Sequence, residues 1–218
     1  MTRVRRQTVC ELLRRVSALT GIERPVIAGS QSVWAVTTDE IPIVERSRDV
    51  DVLLTEAPPS ALRALGRELG RYSDFNERTG LYVDPVLLAV LALPRGWETR
   101  LEPVVDEEGC VVAMATEVHD TGVAKLVAGR EEDYAFIIAL TLLGYIDTAR
   151  LAERAALVES SIWRSALSNN LPILVEHMSL ARVAVDTSPL ASLAEALESS
   201  ADKKRSTPRR PTDPPPGR

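Results

Sequence analysis

Two stretches, separated by nine residues, decide the fold of this chain: VIAGSQSVWAV, residues 26–36, and RSRDVDVLL, residues 46–54. The first begins with the short apolar run Val26–Ala28, which predicts a buried strand. Gly29 and Ser30 follow in a tight turn, and SVWAV then continues as a helix. The pattern therefore predicts a strand, a turn and a helix in direct succession.

The second stretch predicts a strand from Asp49 to Leu54. Because side chains alternate along a strand, Asp49 and Asp51 project from one face while the valines project from the other. Neighbouring carboxylates repel, which is costly on an apolar strand unless a cation neutralises them. Mg²⁺ binds one or two protein carboxylates and completes its shell with water and phosphate oxygens. The pair indicates a metal site, although an exposed edge strand, or pairing with Arg46 or Arg48, explains it equally well.

The turn at Gly29 and Ser30 is typical of anion binding. Glycine lets the backbone approach a triphosphate closely, and the amides and dipole at a helix start favour negative charge. The Ser30 hydroxyl adds a donor. The alternative is an ordinary strand-to-helix turn that Ser30 caps.

Apolar strand, Gly-Ser, helix and a strand with D-x-D resemble, in this order, the polymerase-beta-like nucleotidyltransferase superfamily. The later segments VDPVLLAVLALPRGWETRLEPV and VHDTGVAKLVAGREEDYAFI are similar to a bacterial minimal nucleotidyltransferase family related to abortive-infection (AbiEii-type) toxins. The similar segments span residues 26 to about 138, and KLVAGREEDYAFI is the most distinctive of them.

The resemblance implies a role for each matching residue. Gly29 and Ser30 would hold the phosphates of a nucleoside triphosphate, the substrate. Asp49 and Asp51 would act in catalysis by binding Mg²⁺ or Mn²⁺, and a third carboxylate would help to activate the attacking hydroxyl. Asp84 is the candidate for that third carboxylate, and a structural or capping Asp84 is the alternative.

Lys125 and Arg130 belong to the distinctive segment KLVAGREEDYAFI. As nucleotide-binding residues, they would supply positive charge to a triphosphate, because such transfers rely on positioning and electrostatic stabilisation. The alternative is that they form salt bridges with Asp133 or Glu132 and so join two helices.

The resemblance implies an enzyme that transfers a nucleoside monophosphate from a nucleoside triphosphate to a hydroxyl of RNA, a protein or a small molecule. A toxin–antitoxin or defence system is its expected setting. The alternative is a catalytically silent binding partner or antitoxin that keeps the fold. Only nine aromatic residues occur in the chain, so few platforms for base stacking are apparent.

The whole chain predicts an α/β (α+β) fold. A small mixed β-sheet with helices is expected over residues 1–115, a helical subdomain over residues 116–197, and a disordered, basic, proline-rich tail over residues 198–218. Pro85 confines its strand to an edge or a bulge, and the insert TTDEIPIVERS is expected to be a surface loop.

Composition supports a folded cytoplasmic protein without a membrane partner. Apolar residues make up 45% and charged residues 26% of the chain, as in soluble globular proteins. No apolar run reaches the roughly 18 residues of a membrane helix, and the N-terminus is charged. Cys10 and Cys110 are expected to be reduced. His119 and His177 have no spacing that suggests a metal site or a catalytic triad.

The last twenty residues, Ser199 to Arg218, hold six basic residues against two aspartates, together with five prolines. Such a segment buries too little apolar surface to offset its ordering entropy. It could bind nucleic acid electrostatically or serve only as a solubilising terminus.

Overall fold

The structure, a computed structural model, describes residues 5–54 and 57–206, the last six of them by their backbone alone. The strands are β1 Val26–Ala28, β2 Asp49–Leu53, β3 Tyr82–Val86, β4 Glu102–Val105 and β5 Val111–Ala115. The α-helices are α1 Arg6–Thr20, α2 Pro42–Glu45, α3 Pro59–Glu68, α4 Asp74–Thr79, α5 Val118–Ala128, α6 Glu131–Leu142, α7 Thr148–Ala156, α8 Ser161–Leu180 and α9 Ser188–Ser206. Within these residues, no helix combines the length and the apolar character that a membrane span requires.

The five strands form one mixed sheet in the order β3-β2-β1-β5-β4. Strand β1 is antiparallel to β2 and parallel to β5, β2 is parallel to β3, and β4 and β5 form the expected antiparallel hairpin. The predicted α/β class with a small mixed sheet is therefore confirmed. The central position of β1 places the turn that follows it beside strands of both directions.

Strand β2 has the expected two faces. Val50 and Val52 are buried in the hydrophobic core, whereas Asp49 and Asp51 are half-buried on the other face. The alternation follows from the period of two in a strand. The core thus fixes the side of the sheet from which both carboxylates project.

Pro85 lies in β3, an edge strand, as the sequence predicts. The Tyr82 N–H donates to the Arg48 carbonyl at 3.0 Å, toward β2, while the Val83 N–H donates away from β2 to the Leu69 carbonyl at 2.8 Å. Because these directions alternate along a strand, position 85 shares the outward direction of Val83. The missing N–H of proline therefore removes no bond between β2 and β3.

The helices after β5 complete the same core. Helix α5 packs against α6, α7, α8 and the 3₁₀ helix Gly29–Ala35, and α8 packs along α9. The buried apolar residues form one continuous cluster that runs from α1 through the sheet into α8 and α9. The helical part is thereby held in a fixed position next to the turn that follows β1.

Local structure differs from prediction near the site. The helix after β1 is a 3₁₀ helix, Gly29–Ala35. The insert expected to be a surface loop contains α2, and its side chains Ile41 and Val44 are buried. Because Ile41 and Val44 are three positions apart, they lie on the same side of the single helical turn and pack inward together. The insert therefore contributes to the core.

Three further segments depart from expectation. The sequence also offers Ser60 as the N-cap of a helix over ALRALGRELGRY, but helix α3 begins at Pro59, since proline is favoured in a first turn. Helix α4, capped by the Ser73 hydroxyl, was not predicted. Helix α9 continues to Ser206 and so runs past residue 197, the predicted end of the helical subdomain, while residues 207–218 of the predicted tail lie outside the described part of the chain.

Candidate functional site

Gly29 directly follows β1 and adopts the left-handed conformation, with φ of +66°. This conformation is costly for residues that carry a Cβ. A Cβ at Gly29 would also overlap the Asp51 carboxylate, because the two residues pack directly against each other across β1 and β2. Both the backbone angle and the lack of space therefore require glycine at this position.

A chain of buried hydroxyls holds the Gly29 peptide. The Ser32 hydroxyl donates to the Gly29 carbonyl at 2.8 Å, and the Thr121 hydroxyl lies 2.9 Å from Ser32 and 2.7 Å from the Thr116 hydroxyl. A carbonyl only accepts, so Ser32 must donate to it; Thr121 then donates to Ser32 and Thr116 to Thr121. The chain connects the start of α5 and the end of β5 to the turn.

Three carboxylates share one face of the sheet. Asp49 and Asp51 alternate along β2, and the parallel register pairs Asp51 with Asp84 of β3. Paired residues of neighbouring strands project from the same face, so Asp84 joins the other two. Asp84 is exposed, and its carboxylate has no hydrogen bond to any described residue. It therefore does not cap a helix or a turn among these residues.

The basic residues that precede β2 do not neutralise this face. The Ser47 hydroxyl donates to Asp49 Oδ1 at 2.7 Å. Among residues 5–54 and 57–206, no salt bridge joins Asp49 or Asp51 to Arg46 or Arg48. The pairing that offered an alternative account of the D-x-D motif is not made.

The electrostatic consequence appears at Asp51. The pKa of its carboxyl is raised to about 7, mainly by burial and also by the negative charges of Asp49 and Asp84, while Lys125 and Arg130 oppose the shift. A carboxyl that holds its proton near neutrality beside two other acids is short of positive charge. A bound cation would supply that charge.

The donor set suits a metal that shares its ligands with a substrate. No group of three or more His, Cys, Asp or Glu within the described part of the chain forms a metal cluster by itself. Mg²⁺ needs only one or two carboxylates, since water and phosphate oxygens fill the remaining positions. Asp49 and Asp51 meet this requirement, and the ion would be completed by the ligand.

Lys125 and Arg130 meet at one carboxylate, that of the fully buried Asp133. Lys125 Nζ lies 3.0 Å from Asp133 Oδ1, and Arg130 Nε lies 2.7 Å from Asp133 Oδ2. Glu132 Oε1 is 3.6 Å from the same Arg130 nitrogen. The salt bridges considered for these residues therefore do form, and they join the end of α5 to the start of α6.

The two cations differ in how freely they can reach a ligand. The Lys125 side chain is 12% exposed and lies over the Phe136 ring at 4.6 Å, whereas the Arg130 side chain is 63% exposed. Although burial raises the pKa of Asp133, hydrogen bonds from Arg130 and Lys125 outweigh this and leave it below its usual range. Asp133 is thus a fixed anion that positions both cations.

A cavity of about 190 Å³ brings these groups together. Its polar lining includes Gly29, Asp51, Lys125, Arg130 and Asp133, although they belong to three separate parts of the sequence. Asp49 and Asp84 do not line the cavity itself but share the carboxylate face with Asp51. Ser30 also lies outside the lining, and its hydroxyl has no bonding partner among the described residues.

Sequence reasoning missed several groups around the cavity. Thr116 and Thr121 line it, and so does Trp163 from the first turn of α8. No local pattern marks a buried threonine or a single tryptophan in a helix as part of a site. Their relation to Gly29 depends on the packing of α5 and α8 against the turn.

His119 is structural. Its ring is buried, with Nδ1 at 2.5 Å from Glu117 Oε1, and Nε2 accepts the Asp147 backbone N–H at 3.0 Å. Because Nε2 accepts, the proton of a neutral ring is on Nδ1 and is donated to Glu117. The ring therefore links the start of α5 to the start of α7.

Comparison with known proteins adds one finding. No curated protein and no solved structure is similar enough to this chain to count as a match. A family model described as a nucleotidyltransferase of unknown function, DUF6036, matches residues 7–174, which include the turn, the carboxylate strands, Lys125, Arg130 and Trp163. The chain therefore belongs to this family of nucleotidyltransferases of unknown function.

Proposed function

We propose that this protein is a metal-dependent nucleotidyltransferase that transfers a nucleoside monophosphate from a nucleoside triphosphate to a hydroxyl group of RNA, a protein or a small molecule. The observation that carries the proposal is the cavity in which Gly29 and Asp51 face Lys125 and Arg130. Anion-binding backbone, carboxylates and cations are the three groups that phosphate transfer requires. Membership of the family supports the reaction class.

The triphosphate is expected to lie against the backbone at Gly29, because a glycine places no side chain of its own between a ligand and the peptide. Lys125 and Arg130 supply the opposing positive charge. Arg130 is exposed enough to turn from Asp133 toward a phosphate, whereas Lys125 can contribute from its present position at the cavity wall. The Ser30 hydroxyl lies outside the cavity lining, so it would contact the phosphates only if the turn or the side chain moved.

Asp49 and Asp51 are the residues that would hold Mg²⁺ or Mn²⁺. When bound, the ion would offset the charge of the phosphates and polarise the phosphorus that is attacked. Asp51 must release its proton before it can act as a ligand, and the charges of Lys125 and Arg130 favour that release.

In the chemical step, the acceptor oxygen forms a bond to the α-phosphorus while the bond from that phosphorus to the bridging oxygen breaks. Pyrophosphate is the leaving group, and the hydroxyl proton must pass to a base or to solvent. Asp84 lies beside Asp51 in the parallel register and is exposed. We assign it the role of accepting or orienting that proton.

A catalytically silent binding partner is the second candidate. It is favoured by the low aromatic content of the chain, nine residues in all, which leaves few platforms for base stacking. Such a protein would bind a nucleotide without Mg²⁺, or would bind none and associate tightly with another protein. Affinities measured with and without Mg²⁺ separate it from the enzyme.

A toxin–antitoxin or defence setting, a cytoplasmic location and an RNA or protein partner stay predictions. The resemblance to abortive-infection toxins supports the setting and the partner, and the composition supports the location. The identity of a small regulator encoded beside this gene, and its recovery with the protein in a pull-down, would test the setting directly.

The central experiment measures transfer of label from α-³²P nucleoside triphosphates to cellular RNA or protein with Mg²⁺ or Mn²⁺. Wild type is expected to label an acceptor, and Asp51→Ala is expected to abolish labelling. Asp74→Asn, which alters an exposed aspartate in α4 away from the cavity, is the matched control. Absence of labelling with all acceptors and both metals would contradict the proposal.

A further inference from the structure

The cavity beside Gly29 has a second kind of lining that the transfer chemistry does not use. Besides its charged groups, Thr116 and Thr121, the cavity is lined by a set of apolar residues, namely Val90, Leu91, Ala92 and Leu93 after β3, Ala124, Val127 and Ala128 of α5, and Trp163. A ligand that fills this cavity must therefore be charged at one end and apolar at the other. Triphosphate alone satisfies only the charged part.

Trp163 is suited to contact such a ligand. It is half-buried, and its ring packs against the hydrophobic core while also lining the cavity. Its indole N–H has no hydrogen-bond partner among the described residues. A tryptophan in this position offers an apolar face together with a polar edge.

The apolar lining is held in place from two sides. The Arg95 N–H donates to the Leu157 carbonyl at 3.2 Å, and the Arg95 guanidinium pairs with Glu159 at 3.4 Å. These contacts join the segment after β3 to the turn before α8. Asn170 of α8 donates to the Leu126 carbonyl at 2.8 Å and so joins α8 to the end of α5. The surface around Trp163 is therefore formed before any ligand binds.

We propose that Trp163, together with Leu91 and Leu93, forms the surface that receives the nucleobase of the nucleoside triphosphate. This inference rests on the proposed function. Stacking on an aromatic ring suits any base, because every base has a π-face, so selection among the four bases is expected to be weak. The few aromatic residues of the chain do include one at the place where a base is needed.

The size of the cavity agrees with a base inside it and phosphates that extend beyond it. Its volume of about 190 Å³ is below the ~300 Å³ at which pockets enclose drug-sized ligands. It can enclose part of a nucleotide but not all of it. With the base against Trp163, the phosphates extend past Gly29 toward the carboxylate face, where Asp49 and Asp84 lie.

Two kinds of probe, nucleoside triphosphates and tripolyphosphate, separate binding of the base from binding of the phosphates. Affinities for each of ATP, GTP, CTP and UTP, and for inorganic tripolyphosphate, are measured by calorimetry with Mg²⁺ for wild type, Trp163→Leu, Trp163→Phe and Trp97→Leu. Trp97 is half-buried in the 3₁₀ helix Trp97–Arg100 and does not line the cavity, which makes it a matched control.

Trp163→Leu is expected to weaken nucleotide binding about 10-fold and to leave tripolyphosphate binding within about twofold of wild type. Trp163→Phe is expected to keep most of the nucleotide affinity, and Trp97→Leu all of it. Tryptophan fluorescence gives a second readout: nucleotide but not tripolyphosphate should quench it in wild type, and the quenching should be lost in Trp163→Phe.

The outcomes distinguish the two proposals. Equal loss of both probes in Trp163→Leu, or no loss of either, would overturn the base surface while leaving the nucleotidyltransferase proposal intact. Wild type that binds neither probe would overturn both. If Trp163→Leu does not fold, fluorescence decides. The base surface is overturned if nucleotide leaves the fluorescence of wild type unchanged, and it is supported if nucleotide quenches wild type but not Trp163→Phe.

Discussion

Gly29 and Asp51 pack so closely that no side chain can be placed between the turn after β1 and the carboxylate of β2. The same glycine has a φ of +66°, so both its backbone conformation and the contact with Asp51 require a residue without a Cβ. Gly21 has only the backbone requirement, since its φ is +75° and nothing lies within 4 Å of the place that a Cβ would take there. The pair of glycines therefore separates backbone strain from contact with the carboxylate.

Gly29→Ala is expected to lower the free energy of unfolding by more than Gly21→Ala does. Gly21→Ala should cost about 1–2 kcal/mol through its backbone conformation alone. Chemical denaturation of both variants measures the difference. Gly29→Ala in an Asp51→Ala background should lose the excess, because the clashing carboxylate is gone. Equal costs for the two glycines would contradict the contact.

The pKa of Asp51, about 7, makes the stability of the metal-free protein depend on pH. Its ordinary value is 3.8, so the folded state holds this proton more tightly than the unfolded state does. The stabilisation that comes from binding this proton is therefore fully present below about pH 4 and is lost as the pH rises to about 7. Above that range the stability no longer changes through Asp51. Asp51→Asn removes the penalty.

The difference in unfolding free energy between Asp51→Asn and wild type is expected to grow by up to a few kcal/mol between pH 4 and pH 7. Urea denaturation in EDTA at several pH values measures it, with Asp74→Asn as the control. Mg²⁺ should restore part of the stability of wild type above pH 7 and none in Asp51→Asn. A difference that does not change with pH would contradict the shifted titration.

Asp133 and Arg130 are expected to separate stability from ligand binding. Asp133→Asn leaves the nearly buried Lys125 without its anion and should cost about 3 kcal/mol. Arg130→Gln should cost less than Asp133→Asn does, because Lys125 still pairs with Asp133, while it lowers nucleotide affinity.

Thermal unfolding and calorimetric titration with nucleotide test these two variants. Arg15→Gln, which removes an exposed salt bridge to Glu11, controls for the loss of a surface charge. If Arg130→Gln binds nucleotide as well as Arg15→Gln does, Arg130 belongs only to the brace between α5 and α6.

Thr121→Val is expected to disturb the turn at Gly29 from a distance. The substitution keeps the shape of the side chain but leaves the Thr116 hydroxyl without an acceptor, which should cost about 1–3 kcal/mol. Nucleotide affinity should also fall, since Ser32 loses the group that orients it. Thr141→Val, which removes a buried hydroxyl bonded within its own helix, should change stability alone. Unaltered affinity in Thr121→Val would show that the hydroxyl chain does not position the turn.

Asp84→Asn is expected to lower the rate of transfer about 100-fold with a change in KM for the nucleotide below about threefold. The reason is that Asp84 would act on the acceptor proton and not on the phosphates. Steady-state kinetics with the acceptor found above measure this, and the Asp74→Asn variant is again the control. A large rise in KM with unchanged kcat would indicate a role in nucleotide binding instead.

The sequence was sufficient to predict the sheet residues of the site. Alternation in RDVDVLL correctly predicted which side of β2 carries the aspartates, and Pro85 correctly predicted an edge strand. Both predictions rest on the geometry of a single strand. Local sequence contains that information because it depends on no other element.

The rest of the site depends on contacts between distant segments. Thr121 reaches Ser32 across 89 positions, and Trp163 reaches the cavity only because α8 packs on α5. The insert after Val36 looks like a polar loop in the sequence, because its apolar residues are few. In the structure, however, Ile41 and Val44 are buried. Tertiary packing decides each of these features, and no periodicity reports it.

The position of Pro85 also bears on self-association of the protein. A strand of another chain extends a sheet by accepting hydrogen bonds from the outward N–H groups along its edge and by donating to the outward carbonyls. On β3 those groups belong to positions 83 and 85: the Val83 N–H is already donated to Leu69, and Pro85 has none. The edge next to Asp84 therefore has no N–H at these two positions to donate to a further strand, which makes it a poorer template for strand addition beside the carboxylates.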